Sequence, residues 1–129
     1  MKYIVTGVDG QLGGLVAKNM FETCPPQNLI FTAPDVNRIP ERSLKLWLSE
    51  GVKVKNANYQ NPTQLKQAFK GGQRLFMISS IINGPERVIQ HKNVISAAKR
   101  SGIEHITYTS FKAAFPCSTL FYTHCLSIR

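Results

Sequence analysis

From residue 3 to residue 109 short β-branched runs alternate with longer segments whose apolar residues recur at three- and four-residue steps. Tyr3 to Thr6 is a continuous run ending at Gly7, the pattern of a parallel strand buried on both faces. Leu12, Leu15, Val16, Met20 and Phe21 then fall on one face of a helix, which Pro25-Pro26 stops. Leu29 to Thr32 predicts a second strand, and Ser43 to Glu50 a second helix with Leu44, Trp47 and Leu48 inward and Gly51 as its stop. Val52 and Val54 mark a short third strand. Asn61-Pro62 opens a helix with proline in its first turn, Leu65, Ala68 and Phe69 inward, and Gly71-Gly72 at its end.

Leu75 to Ile78 is apolar throughout and predicts a central fourth strand. Glu86 to Ser101 carries Val88, Ile89, Val94, Ile95 and Ala98 at helical spacing before Gly102, and Ile103 to Thr109 alternates as a fifth strand. Strand and helix in this alternation predict right-handed crossovers and an α/β fold, a Rossmann-like doubly wound parallel sheet of five strands in the order 3-2-1-4-5. After Phe111 neither period holds; a helix from about Ser118 is expected to cover part of the sheet.

Composition narrows the class. The chain has 129 residues, 43% of them hydrophobic, enough for one domain with a real core and too apolar for a disordered or low-complexity chain. Lys and Arg number 16 against 7 Asp and Glu, a formal charge of +9. The cations stand singly or in pairs, without a long run and without interleaved aromatics to stack bases, so they read as a solvated surface and no nucleic-acid partner is expected. No apolar run approaches the roughly 18 residues of a membrane span, and the start is too short for a secretory segment, so a cytoplasmic protein with no membrane partner is expected. Cys24, Cys117 and Cys125 lack the spacing of a disulfide framework or zinc site, and no metal is expected.

The chemistry begins at Thr6-Gly7-Val8-Asp9-Gly10-Gln11-Leu12-Gly13, with glycines at 7, 10 and 13 where the first strand turns into the first helix. Gly7 allows the sharp turn, Gly10 lets backbone amides approach a pyrophosphate, and Gly13 permits close helix-on-strand packing; phosphate then lies on the helix N-terminus. After the second strand, Asp35 could accept from a ribose 2′-hydroxyl and Arg38 could hold a 2′-phosphate. Pro34 breaks the strand just before them, turning Asp35 away and letting Arg38 curl back, which favours NADP(H) over NAD(H).

Tyr108 to Lys112 spells YxxxK, but a catalytic tyrosine and lysine at that spacing must share a helix face. Tyr108 falls on the fifth strand, where i and i+4 lie about 13 Å apart, so no dyad is expected. His91 reads as a polar residue of a helix surface and His105 as a strand-end surface residue.

The chain resembles the atypical short-chain dehydrogenases of the NmrA-like group, most closely the NADPH-dependent quinone oxidoreductases of the second type. The resemblance rests on the glycine turn through Gly14, on Gly51-Val52-Lys53-Val54 with Ala57-Asn58-Tyr59, and on Leu75 to Ser80. It continues through Gln90 to Ile95, Ala97-Ala98-Lys99, Gly102-Ile103 and Tyr108-Thr109-Ser110, covering residues 1 to 111. The resemblance implies that Gly10, Gln11 and Leu12 hold the pyrophosphate and that Asn58 pairs with adenine in a place where many relatives carry aspartate. It also implies that Ser79 and Ser80 line the ribose and nicotinamide end, and that Tyr108 and Ser110 lie toward the substrate. Thr6, Gly7, Gly13, Arg38, Tyr59 and Tyr108 complete the expected cofactor-binding set.

The activity implied by the resemblance is hydride transfer from NADPH to a quinone-like small molecule. A non-catalytic sensor of the NADP redox state is the alternative within the same group. Relatives continue into a sixth strand and a smaller substrate region. Residues 1–111 are therefore expected to form the NAD(P)-binding domain and 112–129 a truncated remainder, with either self-association through the uncovered fifth strand or packing of the tail on that strand and its neighbouring helix as a consequence.

Overall fold

The structure, a computed structural model, describes residues 1–80, 82 and 84–109. Its strands are β1 (Tyr3–Val5), β2 (Leu29–Ala33), β3 (Lys53–Asn56), β4 (Arg74–Met77) and β5 (His105–Tyr108). Its helices are α1 (Gln11–Thr23), α2 (Glu41–Ser49), α3 (Pro62–Phe69) and α4 (Pro85–Arg100). The strands form one sheet in the order β3-β2-β1-β4-β5, every pair parallel, as the alternating periods predict.

Side chains alternate across the pleat and divide the core in two. Val5, Leu29, Phe31 and Ala33 face α1 and α2, where Ala17 and Trp47 meet them; the Phe31 and Trp47 rings touch edge to face at 4.7 Å. Ile4, Ile30, Leu75 and Met77 face the other way, onto Leu65, Ala68 and Phe69 of α3 and Val94, Ala97 and Ala98 of α4. β2 is buried at every position, which only a strand covered on both faces can be.

Three helices turn a different face inward from the one their leucines and isoleucines suggested. In α1 the buried positions are Gly13 and Ala17, with Val16, Met20 and Phe21 packed beside them, whereas Leu12 and Leu15 stand 50% and 59% exposed. The phase is set by the contact between Gly13 and the Gly7 backbone, which admits no side chain. In α2 Trp47 is buried and Leu44 packs beside it, but Leu48 is exposed. In α4 the inward stripe is Gln90, His91, Val94, Ala97 and Ala98, and Ile89 faces out.

His91 is therefore a core residue rather than the surface histidine expected from its polarity; His105 is exposed, as expected. Cys24 is a free, half-buried thiol. Ser110, Lys112, Cys117, Cys125, the expected helix from about Ser118 and the tail 112–129 lie outside the described residues. Among the described residues no helix is long and apolar enough to cross a membrane, and no group of three or more His, Cys, Asp or Glu could hold a metal.

Candidate functional site

In a parallel sheet that winds both ways from β1, the crossovers to β2 and to β4 leave in opposite directions, and a crevice opens at the carboxyl ends between them. Here that crevice is a cavity of about 390 Å³ lined by Gly7, Asp9 and Gly10 from the first turn and Pro34, Arg38, Asn58, Tyr59 and Gln60 beyond β2 and β3. Ile78, Ser79, Ser80, Ile82 and Gln90 close it beyond β4.

The turn after β1 is built to bring α1 close. Gly7 takes φ +67°, the left-handed region that favours glycine, and its carbonyl accepts from the Gly10 amide at 3.1 Å. Gly13 sits so near that a Cβ would lie 1.9 Å from the Gly7 oxygen. Gly10, the N-cap, offers no side-chain acceptor to the first turn, and that turn carries no acidic residue. Its amides and the positive end of the helix dipole therefore have neither a side-chain cap nor a first-turn carboxylate to meet them. Arg38 adds a cation at the β2 side, while Asp35 is engaged in capping its own turn through the Asn37 amide at 2.9 Å. The Asp9 carboxylate is the opposing charge on the cavity lining.

The β4 exit is held at three successive residues by side chains from neighbouring strands, the loop after β3 and α4. The Ile78 amide donates to the Thr6 hydroxyl at 2.9 Å, and the Tyr59 hydroxyl donates to the Ile78 carbonyl at 2.6 Å while contacting Thr6 at 2.6 Å. Ser79 is tied to Thr109, its amide donating to the Thr109 hydroxyl at 2.9 Å and its own hydroxyl to the Thr109 carbonyl. The Ser80 amide donates to His91 Nε2 at 2.9 Å, and the Ser80 hydroxyl meets Gln90 Oε1. Because His91 Nε2 accepts a hydrogen bond it carries no proton there. Burial raises the Tyr59 phenol well above its ordinary pKa; the Asp9 charge adds to this and the Thr6 hydrogen bond opposes it.

Of the residues expected to bind cofactor, the cavity gathers Gly7, Gly10, Arg38, Asn58, Tyr59, Ser79 and Ser80. Gln11 lies on a neighbouring groove between α1 and α2, and the Leu12 side chain is exposed beside the first turn. Thr6 is fully buried with its hydroxyl engaged below the cavity, Gly13 serves the helix–strand contact, and Tyr108 packs against the core. Asp9, Pro34, Gln60, Ile78, Ile82 and Gln90 line the cavity without having been expected. The periodicity puts Ile78 inside the fourth strand and Pro34 two residues past the second, whereas β4 ends at Met77 and β2 at Ala33, so both residues stand directly at strand carboxyl ends. Gln90 belongs to a segment that carries the family resemblance, but nothing in the sequence assigns it a place in the cavity.

A parallel sheet in this order, with a glycine turn at its first crossover, defines a Rossmann-like α/β protein. The NmrA-like family model matches residues 2–120, and the chain belongs to that family. It is 36% identical over 106 residues to quinone oxidoreductase 2 of Escherichia coli, covering 82% of this chain and 35% of that protein. It is 30% identical over 113 residues to an NmrA-like family domain-containing oxidoreductase of Aspergillus flavus, again covering 35% of the relative.

Among solved structures, the triphenylmethane reductase of Citrobacter sp. complexed with NADP(H) superposes with a TM-score of 0.85 at 30% identity, over 98% of this chain and 44% of that one. The E. coli quinone oxidoreductase complexed with NADPH gives 0.73 at 32% identity, over 86% and 37%. The chain thus spans about a third of the length of the curated relatives it matches.

Proposed function

We propose that this chain binds NADP(H) along the carboxyl ends of its strands and serves hydride transfer from NADPH to a quinone. One observation carries the reading: a single cavity runs from Arg38 beyond β2, past the uncapped first turn of α1, to Ser79 and Ser80 beyond β4. Its residues fit a dinucleotide phosphorylated on the adenosine ribose. Arg38 holds the 2′-phosphate, since a guanidinium pairs with phosphate through several fixed donors. Asn58 both donates and accepts and so meets adenine, although its side-chain oxygen already accepts from the Gln60 amide at 2.9 Å.

The first-turn amides of α1, Gln11 and Leu12 among them, receive the pyrophosphate, and Gly13 keeps that turn close enough to do so. The Tyr59 ring forms the wall while its hydroxyl fixes Ile78, and the side chains of Thr6 and Tyr108 support the strands beneath. Ser79 and Ser80 face the ribose and nicotinamide end. Bound there, NADPH supplies the hydride. The chain's own part is to orient it and to keep water from the β4 end.

NADP(H) in the two complexed relatives and the name of the E. coli relative support the choice of cofactor and acceptor. Fluorescence titration with NADPH and NADH, followed by NADPH oxidation with a small quinone, tests the proposal. Saturable binding that favours NADPH, with turnover, is expected. Absence of saturable binding refutes the site; binding without turnover refutes the reductase and favours the redox sensor.

A further inference from the structure

Gln90 is a buried polar side chain of the cavity lining whose carboxamide is hydrogen-bonded through its oxygen alone among the described residues. It lies in α4, 94% buried because only 6% of it is exposed, and lines the cavity at the β4 end. Its one side-chain contact among the described residues is with the Ser80 hydroxyl. The orientation of the amide follows from that hydroxyl. The Ile82 amide donates to Ser80 Oγ at 3.2 Å, so the oxygen already acts as acceptor and its single proton goes to Gln90 Oε1. The carboxamide is thereby held with its oxygen on Ser80. Its NH₂, two donors, is left without an acceptor among the described residues and faces the cavity.

A donor that faces a cavity without a protein partner is available to a ligand that completes it. The ligand must bring an acceptor oxygen. Its place is also constrained: Arg38 and Asn58 lie on the β2 and β3 side, whereas Gln90 lies beyond β4, on the opposite side of the crevice. A dinucleotide that puts its adenosine at Arg38 puts its reactive end, and the hydride acceptor, near Gln90.

We infer that the Gln90 carboxamide donates to the carbonyl oxygen of the hydride acceptor and selects acceptors that carry such an oxygen; this rests on the NADP(H) site proposed above. In quinone reduction the quinone gains the hydride from NADPH, which becomes NADP⁺. One quinone oxygen receives the hydrogen and the other is left as an anion, which takes a proton from water to give the hydroquinone. A neutral amide donor at the charge-bearing oxygen stabilises that anion as it develops. Gln90 thus acts on the reacting atoms, with Ser80 as its positioning residue.

The test separates the donor from the cofactor site and reads binding as well as turnover. Calorimetry first establishes NADP⁺ binding to the full chain; the NADP⁺ complex is then titrated with acetophenone, an aryl ketone, and with ethylbenzene, which lacks the oxygen. NADP⁺ allows no hydride transfer during the titration. The wild-type complex should prefer the ketone about fivefold, as one neutral hydrogen bond gives. Gln90→Met, of similar volume, should abolish the preference while NADP⁺ affinity stays within about twofold. Gln90→Glu, titrated at a pH where the carboxylate is ionised, keeps an oxygen for Ser80 but has no donor, and should also lose it.

Equal or absent binding of the two ligands by the wild-type complex would overturn the inference, as would a ketone preference retained in Gln90→Met. A loss of NADP⁺ affinity in Gln90→Met with the ketone preference intact would place the amide on the nicotinamide carboxamide and also overturn it. Failure of the wild-type chain to bind NADP⁺ would overturn the site and the inference together.

Discussion

Replacing Gly13 by alanine adds one methyl group at the tightest point of the molecule. Its carbon would lie 1.9 Å from the Gly7 carbonyl oxygen, 2.5 Å from the Gly7 carbonyl carbon and 3.1 Å from the Val8 nitrogen. All three are backbone atoms, and Gly7 is fixed by its positive φ and its bond from Gly10, so α1 must move away. Overpacking of a closed site costs about 1 to 3 kcal/mol, and an obstruction made of backbone belongs at the upper end. Alanine returns about 1 kcal/mol through helix propensity.

The net expectation for Gly13→Ala is therefore a loss of about 2 kcal/mol, with a roughly tenfold weaker NADPH complex as the first-turn amides shift. Gly14→Ala is the control, because its Cβ would meet Val8 O at 3.4 Å, an ordinary contact. There the propensity gain remains, and stability should rise by up to about 1 kcal/mol. Urea unfolding at unchanged m-value, paired with NADPH titration, reads both numbers. A Gly13→Ala protein as stable and as tightly binding as wild type, or equal losses in both variants, would refute the close-approach argument.

Other perturbations probe the rest of the site. Tyr59→Phe removes the hydroxyl joining Thr6 to Ile78 and should cost about 1 to 3 kcal/mol, measured by urea unfolding. The folded-state pKa of Tyr59 is raised, so its stabilisation is complete below the unfolded phenol value near pH 10 and is lost as pH climbs above it; Tyr59→Phe should flatten that alkaline loss. His91→Phe leaves the part-buried Ser80 amide without its acceptor and should cost about 1 to 3 kcal/mol by the same assay, whereas His91→Gln, which can offer an oxygen, should recover part of it. Asp9→Asn removes the acid from the cavity lining and should tighten NADPH severalfold at low salt, with the gain shrinking as salt rises; Arg38→Ala should lower the NADPH over NADH preference by roughly tenfold or more.

The sheet was legible because each strand of the chain is bounded by a helix-breaking or turn-forming residue and each crossover helix has its own period. Gly7, Gly51 and Gly102 close elements in the sequence and take positive φ in the structure. Asp35 and Arg38 divided as Pro34 suggested, one capping a turn and the other lining the cavity. The helix faces were less legible. Leu12 and Leu15 share an apolar stripe, yet the inward phase of α1 is dictated by Gly13, a residue that hydrophobicity does not register.

His91 and Gln90 were hidden for a related reason. Polar side chains on a helix read as solvent-facing, and only the fold shows that α4 begins against the β4 exit, where Ser80 needs an acceptor for its amide and another for its hydroxyl. Thr6 and Tyr59 were placed at the cofactor by resemblance. Their hydroxyls also tie β1 to Ile78, a contact 72 residues apart along the chain that local periodicity cannot reveal.

Amide chemical-shift mapping of the ¹⁵N-labelled chain during NADPH titration tests the site most directly, because it reports position as well as affinity. Saturable shifts are predicted for Gly7, Gly10, Gln11, Leu12, Arg38, Asn58, Ser79 and Ser80, the residues at or beside the cavity at the strand carboxyl ends, with Lys53, Arg74 and His105 at the opposite end of the sheet unmoved. Saturable shifts confined to the opposite end or to the groove between α1 and α2, or no saturable shifts at all, would contradict the proposed NADP(H) site.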